Sequence, residues 1–141
     1  MSAATEVLQI TRRLAASPER VYAAWTDPAL VSRWLFAGPH SQRHAADLDV
    51  RVGGRWTITD RRAGVDYTAT GEYLEVEPPH RLVFSFGMPQ FSPELARVIV
   101  EIAADGDGAV MTLTQEDLRP EEVRPTERGW SKMFEGLAQL L

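Results

Sequence analysis

The sequence contains no cysteine. Disulfides, thiolate metal sites and cysteine nucleophiles are therefore excluded, and the composition suits a reducing compartment. No apolar run approaches the roughly 18 to 20 residues that a membrane-spanning helix needs. The first residues, Met1 to Glu6, lack the basic-then-apolar pattern of a secretory leader, so a cytoplasmic protein is expected. Positive charge is not in excess either. The formal net charge is -5, whereas a nucleic-acid binder shows a basic surface. The densest basic cluster, Arg51, Arg55, Arg61 and Arg62, is interrupted by Asp60 and followed by Asp66, and reads as a solvated strand face. Histidine is scarce. His40 and His44 have a helical metal-ligand spacing, but Gly38-Pro39 upstream signals a loop and no acidic pair completes a site. His80 follows two prolines at a turn. No metal and no cofactor are expected. Internal repeats, low-complexity stretches and dividing linkers are also missing, so residues 1–141 read as one domain.

What is present is a change of hydrophobic period along the chain. Residues 5 to 14 are rich in β-formers and read as a strand. Ser17-Pro18 opens a helix, with Ser17 as N-cap and Pro18 at the first helical position. Val21, Ala24 and Trp25 give that helix one apolar face. Asp27-Pro28 starts a second short helix carrying Leu30, Val31 and Trp34, and Gly38-Pro39 ends this section. Residues 45 to 117 read as a strand meander. Its strands are Asp47 to Val52, Arg55 to Arg62, Tyr67 to Glu77, Arg81 to Phe86, Ala96 to Ala103 and Val110 to Glu116. Gly53-Gly54, Ala63-Gly64, Pro78-Pro79, residues 87 to 93 and Asp105 to Gly108 form the turns. In the second of these strands Trp56 and Ile58 share a face. The period then changes to that of a helix. Trp130, Met133, Phe134, Leu137, Leu140 and Leu141 make one apolar stripe, and the helix is expected to begin between Pro125 and Gly129. The class is α+β: an antiparallel sheet of six or seven strands, two short helices after the first strand, and a long C-terminal helix to cover one sheet face.

Several segments, in this order, resemble one known family. Ile10 to Pro28 resembles the entry strand and first helix of the SRPBCC (START-like) superfamily, in the branch of the activator of Hsp90 ATPase homologues. Trp34 is similar to that branch's tryptophan after the second helix, although Leu35 stands where a second aromatic is common. Asp49-Val50-Arg51-Val52-Gly53-Gly54 resembles its Asp-x-Arg-x-Gly-Gly turn. Gly71 to Phe84 resembles its glycine strand, proline turn and next strand. Gly129-Trp130 with the leucine-bearing helix resembles its C-terminus. The resemblance implies a helix-grip fold, a curved sheet wrapped around the C-terminal helix with a cavity between them, and a homodimer.

Three functions compete at this point. The first is a binder of a small hydrophobic or amphipathic molecule, the cavity being lined by Trp25, Trp34, Trp56, Tyr67, Tyr73, Phe84, Phe86, Trp130, Met133 and Phe134. Such pockets are mostly apolar with a few polar groups that orient the guest. Asp49 and Arg51, two apart on an expected strand, are candidate polar anchors; their bland alternative is an ion pair bracing the glycine turn. The aromatics equally serve as plain core. The second function is an interaction module for an Hsp90-type chaperone, implied by the resemblance alone. The third is a polyketide-cyclase-like or hydrolase-like enzyme. It needs a titratable side chain in the cavity, for which Asp60, Glu72 or Glu101 would serve if the strand phase slipped by one residue. No catalytic residue is assigned.

Overall fold

A computed structural model describes residues 5–36, 43–91 and 94–141. Gly38-Pro39 and His40 lie outside the described residues, and of His44 only the backbone is described. The elements run β1 (Glu6–Leu14), α1 (Pro18–Thr26), α2 (Pro28–Val31), β2 (Arg43–Leu48), β3 (Arg55–Arg62), β4 (Val65–Glu77), β5 (Arg81–Phe86), β6 (Ala96–Asp105), β7 (Gly108–Leu118) and α3 (Pro120–Leu140). The seven strands form one antiparallel sheet in the order β1-β7-β6-β5-β4-β3-β2. This is the helix-grip arrangement, with β1 swung to the far edge beside β7 and α3 lying on the concave face. No helix among the described residues is long and apolar enough to cross a membrane.

The short helices form for local reasons. The Ser17 side chain accepts from the Arg20 N–H, and Pro18 occupies the first turn, where no donor is lost. The Asp27 side chain then caps α2 by accepting from the Ala29 N–H at 3.0 Å. With only four residues, α2 ends before Trp34, which sits in the following turn rather than on the helix.

β2 starts four residues before the expected Asp47, and β4, β6 and β7 each extend two residues beyond an expected end; two further differences have a local cause. The segment from Asp49 to Gly54 is a turn, not the end of a strand. Arg51 N–H donates to the Asp49 carbonyl, Gly54 N–H to the Arg51 carbonyl, and Gly53 N–H to Tyr73 on β4. A Cβ at Gly54 would meet the Asp49 carbonyl oxygen at 1.9 Å, so only glycine closes this turn. The second difference is α3, which starts at Pro120, a full turn before the expected range. Pro120 suits the first helical position, and the Glu122 carboxylate accepts from the Arg119 N–H at 2.8 Å. Pro125 inside the helix deprives Glu121 of its hydrogen-bond donor. Both residues are exposed, so the freed carbonyl faces solvent.

The convex face is polar. Arg81 reaches Glu75 and Glu101 at 3.1 and 3.2 Å, and Arg97 reaches Glu75 and Glu116 at 3.4 and 3.2 Å, lacing β4 to β7. The Arg81 hydrogen bond holds the Glu75 carboxyl below its usual range. These exposed pairs each add little to stability. The concave face carries the core, in which Val98, Val100, Met111, Leu113 and Leu137 are fully buried. Burial of such side chains contributes about 1.5 to 3 kcal/mol each and dominates the folding free energy.

Only two polar residues among the described residues are buried, Asp60 and Gln115. Gln115 on β7 is satisfied, because its side-chain oxygen accepts from the Trp130 indole N–H of α3 at 2.8 Å. That bond pins the helix over the β1–β7 side of the sheet, where α3 packs closest against β1 and Arg12 also donates to Ser131 at 3.2 Å. Trp130→Phe keeps most of the volume but leaves the Gln115 oxygen unpaired. It is expected to lower stability by about 2 kcal/mol, measured by urea unfolding with an unchanged m-value.

Candidate functional site

Fixing α3 over one side of the sheet divides the sheet–helix space into two regions of different character. Near the middle of the sheet the space is filled. Trp25 and Trp34 meet edge to face with ring centroids 4.7 Å apart, and Trp130 and Phe134 complete the cluster. Trp25, Trp56, Tyr73 and Phe84 enclose a void of only about 10 Å³, the room of a single water at most. Trp56 is locked here because its indole N–H donates to the Ser85 carbonyl at 3.1 Å. The glycine at 71 makes that approach possible, since a Cβ there would lie 1.7 Å from the same carbonyl oxygen.

Toward β3 and β4 the space is open. A cavity of about 990 Å³ lies between these strands, the turn after α2, and α3, a size at the upper end for small-molecule sites. Its floor is Trp34, Ile58, Asp60 and Ala69, all buried. Phe36, Tyr67, Met88, Phe91 and Met133 form the walls, and Arg33, Arg62, Lys132, Glu135 and Gln139 stand at the rim. The helix contributes Gly129, Lys132, Met133 and Gly136, at i, i+3, i+4 and i+7 beside the core stripe of Trp130, Phe134 and Leu137, together with Glu135 and Gln139. Small residues keep the space open: Ala69 on the sheet side, and Gly129 and Gly136 on the helix side.

The aromatic walls are ordered by mutual contacts. Tyr67 stacks on Phe91 with centroids 6.0 Å apart. Phe36 lies against Phe86 at 4.9 Å and parallel to Trp56 at 6.1 Å, and its N–H points to the Met133 sulfur at 3.1 Å. Phe36 holds φ +56°, a left-handed conformation that a residue with a side chain adopts at a cost of about 1 to 2 kcal/mol. These packing contacts hold the ring in the cavity wall.

Asp60 is the one buried charge among the described residues. Alternation along β3 puts Trp56, Ile58 and Asp60 on the same inward face without any slip of phase. Its Oδ2 accepts from the Arg62 guanidinium, while Oδ1 has no partner. The Arg62 guanidinium also lies 5.6 Å from the centre of the Tyr67 ring, a cation–π distance. Glu72 and Glu101 face outward and are exposed. At the opposite end of the filled core, burial raises the Tyr22 hydroxyl's pKa. That of Tyr73 rises as well, chiefly through burial and then through Tyr22 and Asp49. Both tyrosines stay neutral across the physiological range.

Of the residues expected to line a cavity, Trp34, Tyr67 and Met133 border the large one. Trp25, Trp56, Tyr73 and Phe84 border the small void, and Trp130, Phe134 and Phe86 lie in the packed aromatic cluster. Asp49 and Arg51 pair with each other at 2.8 Å on the surface, with side chains 53% and 73% exposed. The turn geometry puts them there: once Asp49 leaves β2, strand alternation no longer aims the two side chains at the sheet's inner face. Sequence reasoning missed Phe36, Met88, Phe91, Arg62 and the two helix glycines. Asp60 was expected inward only after a slip of strand phase, yet it falls in phase with Trp56 and Ile58. Among the described residues no group of three or more His, Asp or Glu side chains is placed to hold a metal ion.

Comparison with known proteins agrees with this architecture. Residues 15–141 match the family described as Activator of Hsp90 ATPase homolog 1-like protein. Protein CV1439 from Chromobacterium violaceum is 26% identical over 95% of both chains, with a TM-score of 0.81. Mll3558 from Rhizobium loti is also 26% identical, over the full length of both, with a TM-score of 0.79. Protein SA2116 of unknown function from Staphylococcus aureus shares the fold at 21% identity, over 96% of this chain and 94% of its own, with a TM-score of 0.79. No curated protein matches the chain.

The glycine at 136 tests the geometry of the open region. A Cβ there would lie 3.8 Å from the Trp34 Cβ, an ordinary contact. Gly136→Ala is therefore expected to raise stability by about 0.5 to 1 kcal/mol, the usual helix gain over glycine. Thermal unfolding checks it; a loss would mean that the helix lies closer to Trp34.

Proposed function

The chain belongs to the Activator of Hsp90 ATPase homolog 1-like family, and from that premise we propose that it binds a small amphipathic molecule in the cavity between α3 and the β3–β4 side of the sheet. The observation that carries the reading is the 990 Å³ space walled by Phe36, Tyr67, Met88, Phe91 and Met133 with charged side chains at its rim. An apolar wall gives affinity through burial, and a few polar groups fix orientation. The walls suit a flat ring system, since aromatic rings stack offset or edge to face. The two methionines can adapt their unbranched side chains to its outline. The filled region around Trp25, Trp56 and Phe84 serves as the rigid back wall.

Regulation of an Hsp90-type chaperone rests on the family description alone, whereas the binding reading rests on a formed cavity; the latter is therefore the conclusion. A catalytic role would begin at Asp60, the carboxylate on the cavity floor.

The neutral fluorescent probe N-phenyl-1-naphthylamine tests the proposal. Its emission is expected to rise saturably with one site per chain. Gly136→Phe, which directs a ring into the cavity from α3, is expected to weaken binding by about tenfold or more, about 1.4 kcal/mol or more, with little change in melting temperature. Unsaturable weak binding to the native protein, or unaltered binding to the variant, would contradict it.

A further inference from the structure

We infer that the cavity selects guests that carry a single negative charge, an aryl or alkyl carboxylate whose acid group sits at the mouth beside Arg33 and Lys132. The inference rests on the binding proposal and adds the charge of the guest.

Five ionic side chains line the space, Arg33, Arg62 and Lys132 against Asp60 and Glu135. One positive charge is left over, in a chain whose formal net charge is -5. At the floor, Asp60 is closed off from solvent and its Oδ2 accepts from Arg62, so that pair is neutral as seen from the mouth. Next along the same strand pair, Arg61 and Asp66 neutralise each other at 2.9 Å. The surplus therefore falls to Arg33, Lys132 and Glu135. All three are exposed, and none forms an ion pair among the described residues.

These three side chains stand along one seam. The Phe36 N–H points to the Met133 sulfur at 3.1 Å, and a Cβ at Gly136 would lie 3.8 Å from the Trp34 Cβ. The turn after α2 is thereby seated on α3. Arg33, Lys132 and Glu135 are each next in sequence to one of the contact residues. Two cations from separate elements thus meet one carboxylate at the edge of an apolar space.

The chemistry of the guest follows. A guanidinium fork can take a carboxylate through two parallel hydrogen bonds, and an ammonium adds a compact second charge. One carboxylate at the seam brings the lining to neutrality. Glu135 sets the limit, because it repels a second negative charge. A cationic guest would add to the surplus. The apolar body lies against Phe36, Tyr67, Met88, Phe91 and Met133 and supplies most of the affinity. Contacts between exposed charges are weak in water. The selection is therefore several-fold in size and fades as salt screens it. Because the chain as a whole is negative, non-specific attraction runs the other way.

Equilibrium dialysis with biphenyl-4-carboxylate, biphenyl-4-carboxamide and 4-(aminomethyl)biphenyl reads the selection, because the three share a body and differ in charge. At neutral pH and about 50 mM salt the native protein is expected to hold the carboxylate about fivefold tighter than the carboxamide, with the amine weakest. At about 500 mM salt the ratio of carboxylate to carboxamide is expected to fall below about twofold. Arg33→Gln combined with Lys132→Gln is expected to abolish the preference while the carboxamide stays within about twofold. Glu135→Gln reports in the opposite direction and is expected to tighten the carboxylate about threefold, with the carboxamide unaltered. All these positions are exposed, so the variants leave the core intact. Equal binding of carboxylate and carboxamide to the native protein at low salt would overturn charge selection and leave the cavity reading standing. A preference that survives the double substitution, or a carboxylate affinity unmoved by Glu135→Gln, would overturn the role of the seam. Binding of none of the three would remove the cavity reading, and this inference with it.

Discussion

The hydrogen bond from the Trp130 indole to the Gln115 side chain fixes where the long helix sits, and the rest of the molecule follows from that position. The bond is 2.8 Å long and fully buried. In a low-dielectric interior neither group has water as an alternative partner, so the helix cannot slide without orphaning both. With α3 held over β1 and β7, the aromatic cluster of Trp25, Trp34, Trp130 and Phe134 closes the middle of the sheet. The outer strands β3 and β4 curve past the reach of the helix. Protein interiors close-pack wherever side chains can meet. Here Ala69 and Gly136 leave too little bulk for that.

The two polar residues on the inner face therefore have opposite consequences. One is satisfied by the fold and rigidifies it. The other is half satisfied and lies where the fold is open. This makes the β3 alternation Trp56, Ile58, Asp60 the link between sequence and site: two residues belong to the core, and the third ends the apolar run at the cavity floor.

Much of this architecture was legible before any coordinates. The Ser17 and Asp27 caps, the meander, the Asp105–Gly108 hairpin and the stripe from Trp130 to Leu137 all rest on local signals, and local signals survive folding. The boundaries that shifted did so where a nonlocal or unusual contact took over. Tyr73 draws in the glycine turn after Asp49, and exposure excuses Pro125 inside α3. The candidate site was harder. Its aromatics were visible as residue types, but whether a ring is core or wall depends on the lateral position of a helix, and no spacing rule encodes that. Phe36, Met88 and Phe91 sit outside helices and strands, in segments where periodicity carries no information. The polar residue on an apolar face was the one usable clue, and it points to both Gln115 and Asp60 without telling them apart.

The space under α3 is part solid core and part open cavity, and the methionines report on both. Met88 and Met133 line the cavity, whereas Met111 is fully buried in the core beneath the Trp25 indole, whose N–H lies 3.3 Å from its sulfur. Methyl NMR of protein carrying carbon-13 in its methionine methyl groups, titrated with N-phenyl-1-naphthylamine, tests the division directly. The account predicts saturable shifts of the Met88 and Met133 methyls with Met111 unmoved. A shift of Met111 comparable to the other two, or no shift of Met88 and Met133, would contradict it.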